Sequence, residues 1–495
     1  MRSSYLLGLL AASAATAAGA AAASALQLTL GPAGQYSLSS PAWPALSLQG
    51  APLRVRSGGA WLSTADGSLA LLGQRADSAG ADAWGAFEAS AFTFAAAAAP
   101  AAPLVIAAFR VYANASAIVF EARFPGGLAP GGGVADKDSV AAAFPSWVLP
   151  APSSPLGFVQ WAGPFINNGN NGPAKGAFAA PGSALRSGLS GGPLALLDAS
   201  AAASLVLSAA SQFMAVSSAV LQNGTELAFG PLGSAASLPV GYAYECVAFL
   251  GAGINANVMA YGAALLKKYG KPHGLSQSDF LNTHLQYNVD HGGFYYYQTG
   301  SYANYSVALA AVGDYAVAAG IPYRGVLLDS WWYFKGVGGG VKNWTAMPSI
   351  FTGGNAGIRA LVEKTGWKIT AHNRYWSANT DYATVNGGLY DFFVDPAGDG
   401  SMAVPLQQEF WEWLLTSSVT EWGLTTYEQE CVPRLRATLP RPPPPPLARL
   451  LSTHALPLSF LPPHTCCSPP SAFSLTFTAG VSLPFPVPSL ISNCP

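Results

Sequence analysis

Hydrophobic and polar positions follow two different patterns along the chain, and the change falls near residue 276. From residue 26 to about residue 258, short apolar runs are separated by clusters of Gly, Pro, Ser and Asn, as at 109–112, 117–124, 157–161 and 205–208. Runs of this kind are typical of β-strands joined by turns. We therefore predict a large β-sandwich, followed by a helix over 251–270.

After residue 276, strands and helices alternate. Strand-like runs at 285–290, 325–328, 368–372 and 424–430 are separated by helical stretches at 305–319, 356–364 and 405–422. This alternation indicates parallel βαβ units. A doubly wound sheet would need a phosphate-binding glycine loop, and the sequence has neither G-x-G-x-x-G nor a P-loop. The predicted fold class is multidomain: a β-sandwich, then a partial (β/α)8 TIM barrel of about four βα units.

The two ends of the chain differ from the body. Arg2, an apolar core over 5–18 and the small residues Ala23, Ser24 and Ala25 predict a signal peptide over 1–25. N-x-S/T sequons at Asn114, Asn223, Asn304 and Asn343 also suit an exported glycoprotein. We expect a protein that is secreted or in the endomembrane lumen, with no membrane association after signal removal. The predicted domains are therefore 1–25, 26–260 and 276–430, with a Pro-rich non-globular tail over 431–495.

Composition and charge exclude several classes of partner and ligand. Only 9% of residues are charged and the net charge is −1, which argues against nucleic acid. Cys246 is the only cysteine before residue 431, so no disulfide framework is predicted for the body. No spacing typical of metal ligands occurs, and we predict neither a metal nor a cofactor.

Charged or amide side chains follow each predicted strand of the second region. Functional groups of (β/α)8 barrels gather at the carboxyl ends of the strands. A carboxylate beside aromatic rings suits a sugar, which stacks its C–H face and hydrogen-bonds its hydroxyls. The candidate residues at these ends are Asp290; Asp329, Trp331, Trp332 and Lys335; His372, Asn373, Arg374 and Trp376; and Glu428 and Glu430.

Each candidate also has a structural interpretation. Asp329 is the best candidate for a hydroxyl contact, yet a strand-end aspartate also caps helices, and paired tryptophans pack in cores. His372 can be a satisfied core histidine, and Lys335 a solvated loop charge. Glu428 and Glu430 lie two positions apart on a strand, so their side chains point to the same face. Either carboxylate can then serve as a nucleophile while the other tunes its charge.

With these motifs in hand, residues 26–430 resemble glycoside hydrolase family 36, the α-galactosidase and raffinose-synthase type, in the clan that includes family 31. Leu327-Leu328-Asp329-Ser330-Trp331 is similar to the family's L-D-D-G-W-like strand end. The resemblance implies a galactose-mutarotase-like supersandwich followed by a (β/α)8 barrel. It also implies that Asp329 binds substrate hydroxyls and that a carboxylate ending the fourth strand is the nucleophile. Here that is Glu428 or Glu430, since the family's usual K-x-D pattern is absent.

The resemblance places the general acid on a sixth strand, which we do not find in this chain. After Glu430 the sequence becomes Pro-, Ser- and Leu-rich and contains no Asp or Glu. We interpret this tail as translated intron, because the codons of 430–432 can contain the splice donor GTGCGTG; a proline-rich stalk is the alternative. An open half barrel exposes strand edges, so we expect poor solubility and no turnover of this chain.

The sequence therefore predicts a secreted glycoside hydrolase-like protein of retaining type, whose substrate is a carbohydrate; the resemblance implies an α-linked one. A non-catalytic carbohydrate-binding protein would use the same strand-end residues. A transglycosylase of the same clan would differ only in its acceptor. The Ala, Gly and Pro bias also suits a structural cell-wall protein, although the ordered aromatic strand ends argue against that class.

Overall fold

The computed structural model describes two compact units. Among the described residues, unit 1 comprises those up to Asp279 and unit 2 those from Phe280 onwards. The described residues are 26–73, 75–112, 117–129, 136, 138–161, 173–182, 184–235, 237–271, 278–289, 294–394 and 401–429, with the backbone of 475–478. The predicted signal peptide, Asp290, Glu430 and the rest of the predicted tail lie outside these residues.

Unit 1 consists mostly of β-strands. Its elements are β1 (Gln27–Leu30), β2 (Tyr36–Ser39), β3 (Ser47–Gln49), β4 (Arg54–Ser57), β5 (Ala60–Ser63), β6 (Leu69–Leu71), β7 (Ala76–Asp82), β8 (Gly85–Ala96), β9 (Val105–Tyr112), β10 (Ala117–Phe124), β11 (Ala142–Ala143), β12 (Ser146–Val148), β13 (Gly157–Gln160), β14 (Ala174–Ala177), β15 (Leu194–Leu197), β16 (Ala203–Ala209), β17 (Val216–Leu221), β18 (Glu226–Pro231), β19 (Tyr242–Ala252) and helix α1 (Ile254–Lys268).

One large antiparallel sheet organises unit 1. Its strand order is β14-β13-β15-β16-β19-β10-β9-β8-β6, with β7 paired to β8, and three smaller sheets accompany it. Aromatic side chains fill the core between sheets: the Tyr36 ring on β2 lies 5.3 Å from Phe109 on β9 and 5.1 Å from Trp147 on β12. The prediction that this region is mostly β is confirmed, and helix α1 lies within the predicted helical stretch.

Unit 2 alternates strands with helices. Its elements are α2 (Phe280–Thr283), β20 (Leu285–Asn288), α3 (Tyr305–Ala318), β21 (Tyr323–Leu328), β22 (Tyr333–Lys335), β23 (Val341–Ala346), α4 (Asn355–Thr365), β24 (Lys368–Asn373), β25 (Trp376–Ser377), β26 (Phe392–Val394), β27 (Met402–Pro405), α5 (Gln408–Trp422), β28 (Leu424–Gln429) and β29 (Leu475–Thr478).

A parallel sheet forms the frame of unit 2. Strands β20, β21, β24 and β28 are adjacent in chain order and pair in parallel. Helices α3, α4 and α5 occupy the three connections between them, as the alternation predicted. Strand β29, which falls in the predicted non-globular tail, pairs antiparallel with β28. The parallel order β20-β21-β24-β28 is that of successive strands in a (β/α)8 barrel. The partial barrel itself stays a prediction.

A second, mixed sheet of unit 2 was not predicted from the sequence. Its order is β22-β23-β25-β27-β26, and it is built from segments that follow β21 and β24 along the chain. The helix predicted from residue 405 begins instead at Gln408, because Met402–Pro405 is a strand of this sheet. None of the helices in the described part of the chain is long and apolar enough to cross a membrane.

Candidate functional site

The parallel sheet of unit 2 has one apolar and one polar face. Val326, Leu328, Ile369 and Ala371 are buried in one hydrophobic cluster that also contains residues of helices α3, α4 and α5. Strand side chains alternate between faces, so the positions between them form the other face. There the Thr370 hydroxyl donates to Gln286 Oε1 at 2.9 Å, and His372 lies beside Glu428 in the strand register.

Asp329 lies at the carboxyl end of β21, one residue after the strand. The alternation of the strand places it on the same face as Leu327, which pairs in register with Thr370. Its backbone carbonyl accepts a hydrogen bond from the Trp331 N–H at 2.7 Å, and its Oδ1 accepts one from the Ser330 N–H. The chain therefore turns sharply after β21 and holds the carboxylate at the strand end.

The Asp329 carboxylate is buried, and the described part of the chain supplies no countercharge to it. The residue is 2% exposed, and no Lys, Arg or His of the described residues lies within ion-pair distance of it. The Ser330 N–H is the one hydrogen-bond donor that reaches its side chain from the described part of the structure. A buried charge is costly unless donors satisfy it. Oδ2 is therefore the part of this group that a ligand donor would satisfy.

His372 and Glu428 form a pair across adjacent strands. His372 Nδ1 lies 3.8 Å from Glu428 Oε2, and the two residues are partners in the β24–β28 register. His372 is 2% exposed, whereas the Glu428 side chain retains 17% of its accessible surface. The Glu428 side chain is therefore partly accessible, while its Oε2, the atom nearest the imidazole, is buried. Sequence reasoning proposed both residues, and the structure brings them together.

A closed ring of hydrogen bonds fixes the ends of β24 and β28. The Asn373 Nδ2 donates to the Tyr427 hydroxyl at 2.7 Å, and that hydroxyl donates to Gln429 Oε1 at 2.6 Å. Gln429 Nε2 then donates back to the Asn373 carbonyl at 3.1 Å. Burial raises the pKa of Tyr427 well above its ordinary value, so the phenol keeps its proton. Asn373 is wholly buried, so its part is to hold the strands in register.

The structure corrects the prediction that the tryptophans stack on a ligand. Trp331, Trp332 and Trp376 are at most 3% exposed and belong to the hydrophobic core of unit 2. The Trp331 ring is covered by Tyr305, and Trp332 Nε1 donates to the His372 carbonyl at 3.3 Å. Their ring faces are occupied by protein. The aromatic run after Asp329 therefore anchors the strand ends from the apolar side.

Tyr297 is a residue of this region that the sequence reasoning missed. Its hydroxyl lies in hydrogen-bonding contact with Ser330 Oγ and accepts from Lys335 Nζ at 2.7 Å. The Lys335 ammonium also lies 4.4 Å from the centre of the Tyr297 ring. Both residues are exposed. Three consecutive tyrosines, Tyr295 to Tyr297, were the available signal, but no spacing in the sequence connects them to Ser330.

The remaining predicted residues are placed as follows. Arg374 is half-buried after β24, where its N–H donates to the Tyr333 hydroxyl at 3.3 Å. Asp290 and Glu430 lie outside the described residues. Within the described ranges, no group of three or more His, Cys, Asp or Glu side chains is arranged to hold a metal ion.

Comparisons with known proteins find similar structures and no sequence relatives. Neither a protein-family model nor a curated protein matches the chain. An α-N-acetylgalactosaminidase, NagBb from Bifidobacterium bifidum, matches 82% of this chain and 68% of its own at 12% identity and a TM-score of 0.49. The family 36 α-galactosidase AgaA from Geobacillus stearothermophilus matches 77% of this chain and 56% of its own at 13% identity and a TM-score of 0.46.

A third similar structure is the α-galactosidase from Lactobacillus brevis, which matches 76% of this chain and 52% of its own. Its identity is 11% and its TM-score is 0.46. Two of these three structures are α-galactosidases, and the other is an α-N-acetylgalactosaminidase.

Proposed function

We propose that unit 2 binds a sugar at the carboxyl ends of its parallel strands, in a site of glycoside hydrolase type. The observation that carries this proposal is the buried Asp329 carboxylate, which has no Lys, Arg or His of the described residues within ion-pair distance. Hydroxyl groups of a sugar supply neutral hydrogen-bond donors to such an acceptor. Asp329 therefore accepts hydrogen bonds from sugar hydroxyls in the proposed complex.

The polar face of the sheet supports a sugar rather than an apolar ligand. Gln286, Thr370, His372 and Glu428 place amide, hydroxyl, imidazole and carboxylate groups on the face where strand alternation puts Asp329. Ligand sites hold a small number of such groups on a rigid frame. The hydrogen-bond ring of Asn373, Tyr427 and Gln429 provides that rigidity at the two strand ends.

For catalysis we propose the retaining reaction that the resemblance implies. The nucleophile is a carboxylate at the end of β28, either Glu428 or Glu430, which attacks the anomeric carbon while an acid protonates the leaving oxygen. Water then hydrolyses the glycosyl intermediate with the acid acting as base. His372, 3.8 Å from Glu428, would orient that carboxylate and influence its charge.

A non-catalytic sugar-binding protein is the second candidate, since Asp329 would bind hydroxyls in it just as in the enzyme and no acid would be needed. Asp329 directly follows β21 and Glu428 lies on β28, with β24 between these two strands. Two strand spacings amount to roughly 10 Å, whereas retaining carboxylates lie about 5–5.5 Å apart. This pair therefore suits binding by Asp329 and a separate task for Glu428. The sequence-based expectation of no turnover agrees with this candidate.

Calorimetry and a hydrolysis assay on the full chain separate the two candidates. Methyl α-D-galactopyranoside and methyl α-D-glucopyranoside would be titrated first, and 4-nitrophenyl α-D-galactopyranoside would then be assayed with the wild type and with Glu428→Gln. Binding with turnover that Glu428→Gln abolishes supports the enzyme with Glu428 as nucleophile. Binding without turnover supports the binding protein. If neither glycoside binds, the proposed function is wrong.

Secretion is a further proposal, which the signal-like sequence of residues 1–25 supports. Expression of the full chain in a eukaryotic cell line would test it. N-terminal sequencing of protein from the medium should begin near Leu26. Retention of the chain in the cytosol with an intact Met1 would contradict secretion.

A further inference from the structure

Lys335 is a cation that is held in place at the edge of the site. Its Nζ donates to the Tyr297 hydroxyl at 2.7 Å, and the ammonium stands 4.4 Å from the centre of the same ring. An exposed lysine ordinarily samples many rotamers, and ordering it costs conformational entropy. Two contacts with one tyrosine therefore reduce the cost of using this lysine to bind a ligand.

The backbone of Tyr297 is itself unusual. Its φ is +53°, a conformation that is rare for bulky residues other than glycine. Strained backbone of this kind persists where surrounding contacts hold it, and it clusters at functional sites. Here the contacts are those of the Tyr297 hydroxyl with Ser330 and Lys335.

Lys335 retains free capacity for a ligand. An ammonium group has three protons to donate and no acceptor, and one of them is used by Tyr297. Among the described residues, no carboxylate lies within ion-pair distance of Lys335, in contrast to Lys342 beside Asp381 and Lys364 beside Asp314. The positive charge at this position is therefore not neutralised by the described protein.

The position of this cation relative to Asp329 follows from the hydrogen bonds. Lys335 contacts Tyr297, Tyr297 contacts Ser330, and Ser330 is the neighbour of Asp329 in sequence. One phenol oxygen therefore separates the ammonium from the residue that follows the buried carboxylate. A ligand held by Asp329 through its hydroxyls can place another of its groups against Lys335.

We propose that the sugar bound in this site carries an anionic substituent, a carboxylate or a sulfate ester, which the Lys335 ammonium binds while Tyr297 positions it. This inference rests on the proposed sugar site and adds its substrate class. The shared chemistry is an oxygen anion on the sugar ring. A charge-assisted hydrogen bond of this kind raises affinity about tenfold relative to the uncharged sugar.

The test compares three probes by calorimetry on the full chain: methyl α-D-galactopyranoside, methyl α-D-galactopyranosiduronic acid and methyl α-D-galactopyranoside 6-sulfate. We expect at least one anionic sugar to bind about tenfold more tightly than the neutral one, with a preference that declines as salt rises. The anionic sugar with the larger gain in affinity over the neutral sugar shows whether the carboxylate or the sulfate is the preferred group.

Three variants locate the anion. Lys335→Met should remove the preference for an anionic sugar, and circular dichroism checks that the variant is folded. Tyr297→Phe removes the phenol oxygen and keeps the ring, so it should reduce the preference in part. Lys364→Met, which loses the same charge at an exposed helix position, is the control and should keep the preference.

The outcomes separate this inference from the proposed function. If the neutral sugar binds as tightly as both anionic sugars, the anionic class is wrong and the sugar site stands. If an anionic sugar is preferred and Lys335→Met keeps that preference, Lys335 is not the binding group and the inference is wrong. If none of the three probes binds, the proposed function fails together with this inference.

Discussion

Tyr305 lies flat against Trp331, with ring centroids 3.7 Å apart and ring planes 9° apart. Tyr305 begins helix α3 and Trp331 follows the end of β21, so the stack joins the first crossover helix to the strand end that carries Asp329. Both residues are 3% exposed. The aromatic residues after Asp329 therefore stabilise the position of the carboxylate from the apolar side of the sheet.

Removal of the Trp331 ring should destabilise unit 2. Trp331→Ala deletes a buried indole and uncovers Tyr305, which should lower the free energy of unfolding by roughly 3–5 kcal/mol. Trp331→Phe keeps a flat ring and should lower the free energy of unfolding by a smaller amount. Chemical denaturation monitored by circular dichroism measures both values. The control is Phe334→Ala, an aromatic residue that is 40% exposed. Equal stability of Trp331→Ala and the control would contradict the core position of Trp331.

Alkaline pH should weaken the structure through Tyr305. Burial raises the pKa of Tyr305 from its ordinary value of 10.0 to about 12. Between these values the folded state holds a proton that the unfolded state has lost, so the stability that Tyr305 provides is complete below pH 10 and declines as pH rises towards 12.

The corresponding experiment compares the wild type with Tyr305→Phe at pH 9 and at pH 11. Phenylalanine does not titrate, so the stability advantage of the wild type over the variant should shrink between the two pH values. An advantage that stays constant or grows would contradict the raised pKa of Tyr305.

The hydrogen-bond ring at the ends of β24 and β28 should make a measurable contribution to stability. Tyr427→Phe removes the hydroxyl that links Asn373 to Gln429 and should cost roughly 1–3 kcal/mol, because buried polar groups lose their partners. Tyr315→Phe makes the same chemical change at a helix position that is 69% exposed. This control should leave the free energy of unfolding almost unchanged. Thermal unfolding of the two variants compares them directly, and equal midpoints would show that the ring adds no stability.

Much of the fold could be predicted because its elements have strong local patterns. Strand β10 spans the residues predicted for it, and helix α3 ends one residue before its predicted end. The mixed sheet was missed because its strands are two to six residues long and pair with distant segments. Short apolar runs of this kind do not distinguish strand from loop.

Residues of the candidate site could be proposed from the sequence only where their position at the end of a strand identifies them. Asp329, His372 and Glu428 were proposed because each lies at the end of a strand, which is a local property, and their part in a site stays a prediction. The burial of Trp331, Trp332 and Trp376 depends on residues such as Tyr305 that approach from elsewhere in the chain. Tyr297 was missed for the same reason, since its partners lie 33 and 38 residues further along the chain.

The central claim is that the buried Asp329 carboxylate binds sugar hydroxyls. Its most direct test is a calorimetric titration of methyl α-D-galactopyranoside into three proteins: the wild type, Asp329→Asn and the control Asp381→Asn. Asp381 is exposed and lies 3.8 Å from Lys342. We predict that Asp329→Asn lowers the affinity at least tenfold, since it removes a charge-assisted hydrogen bond, while Asp381→Asn leaves the affinity unchanged. Folded Asp329→Asn protein that binds the sugar as tightly as the wild type would contradict the claim.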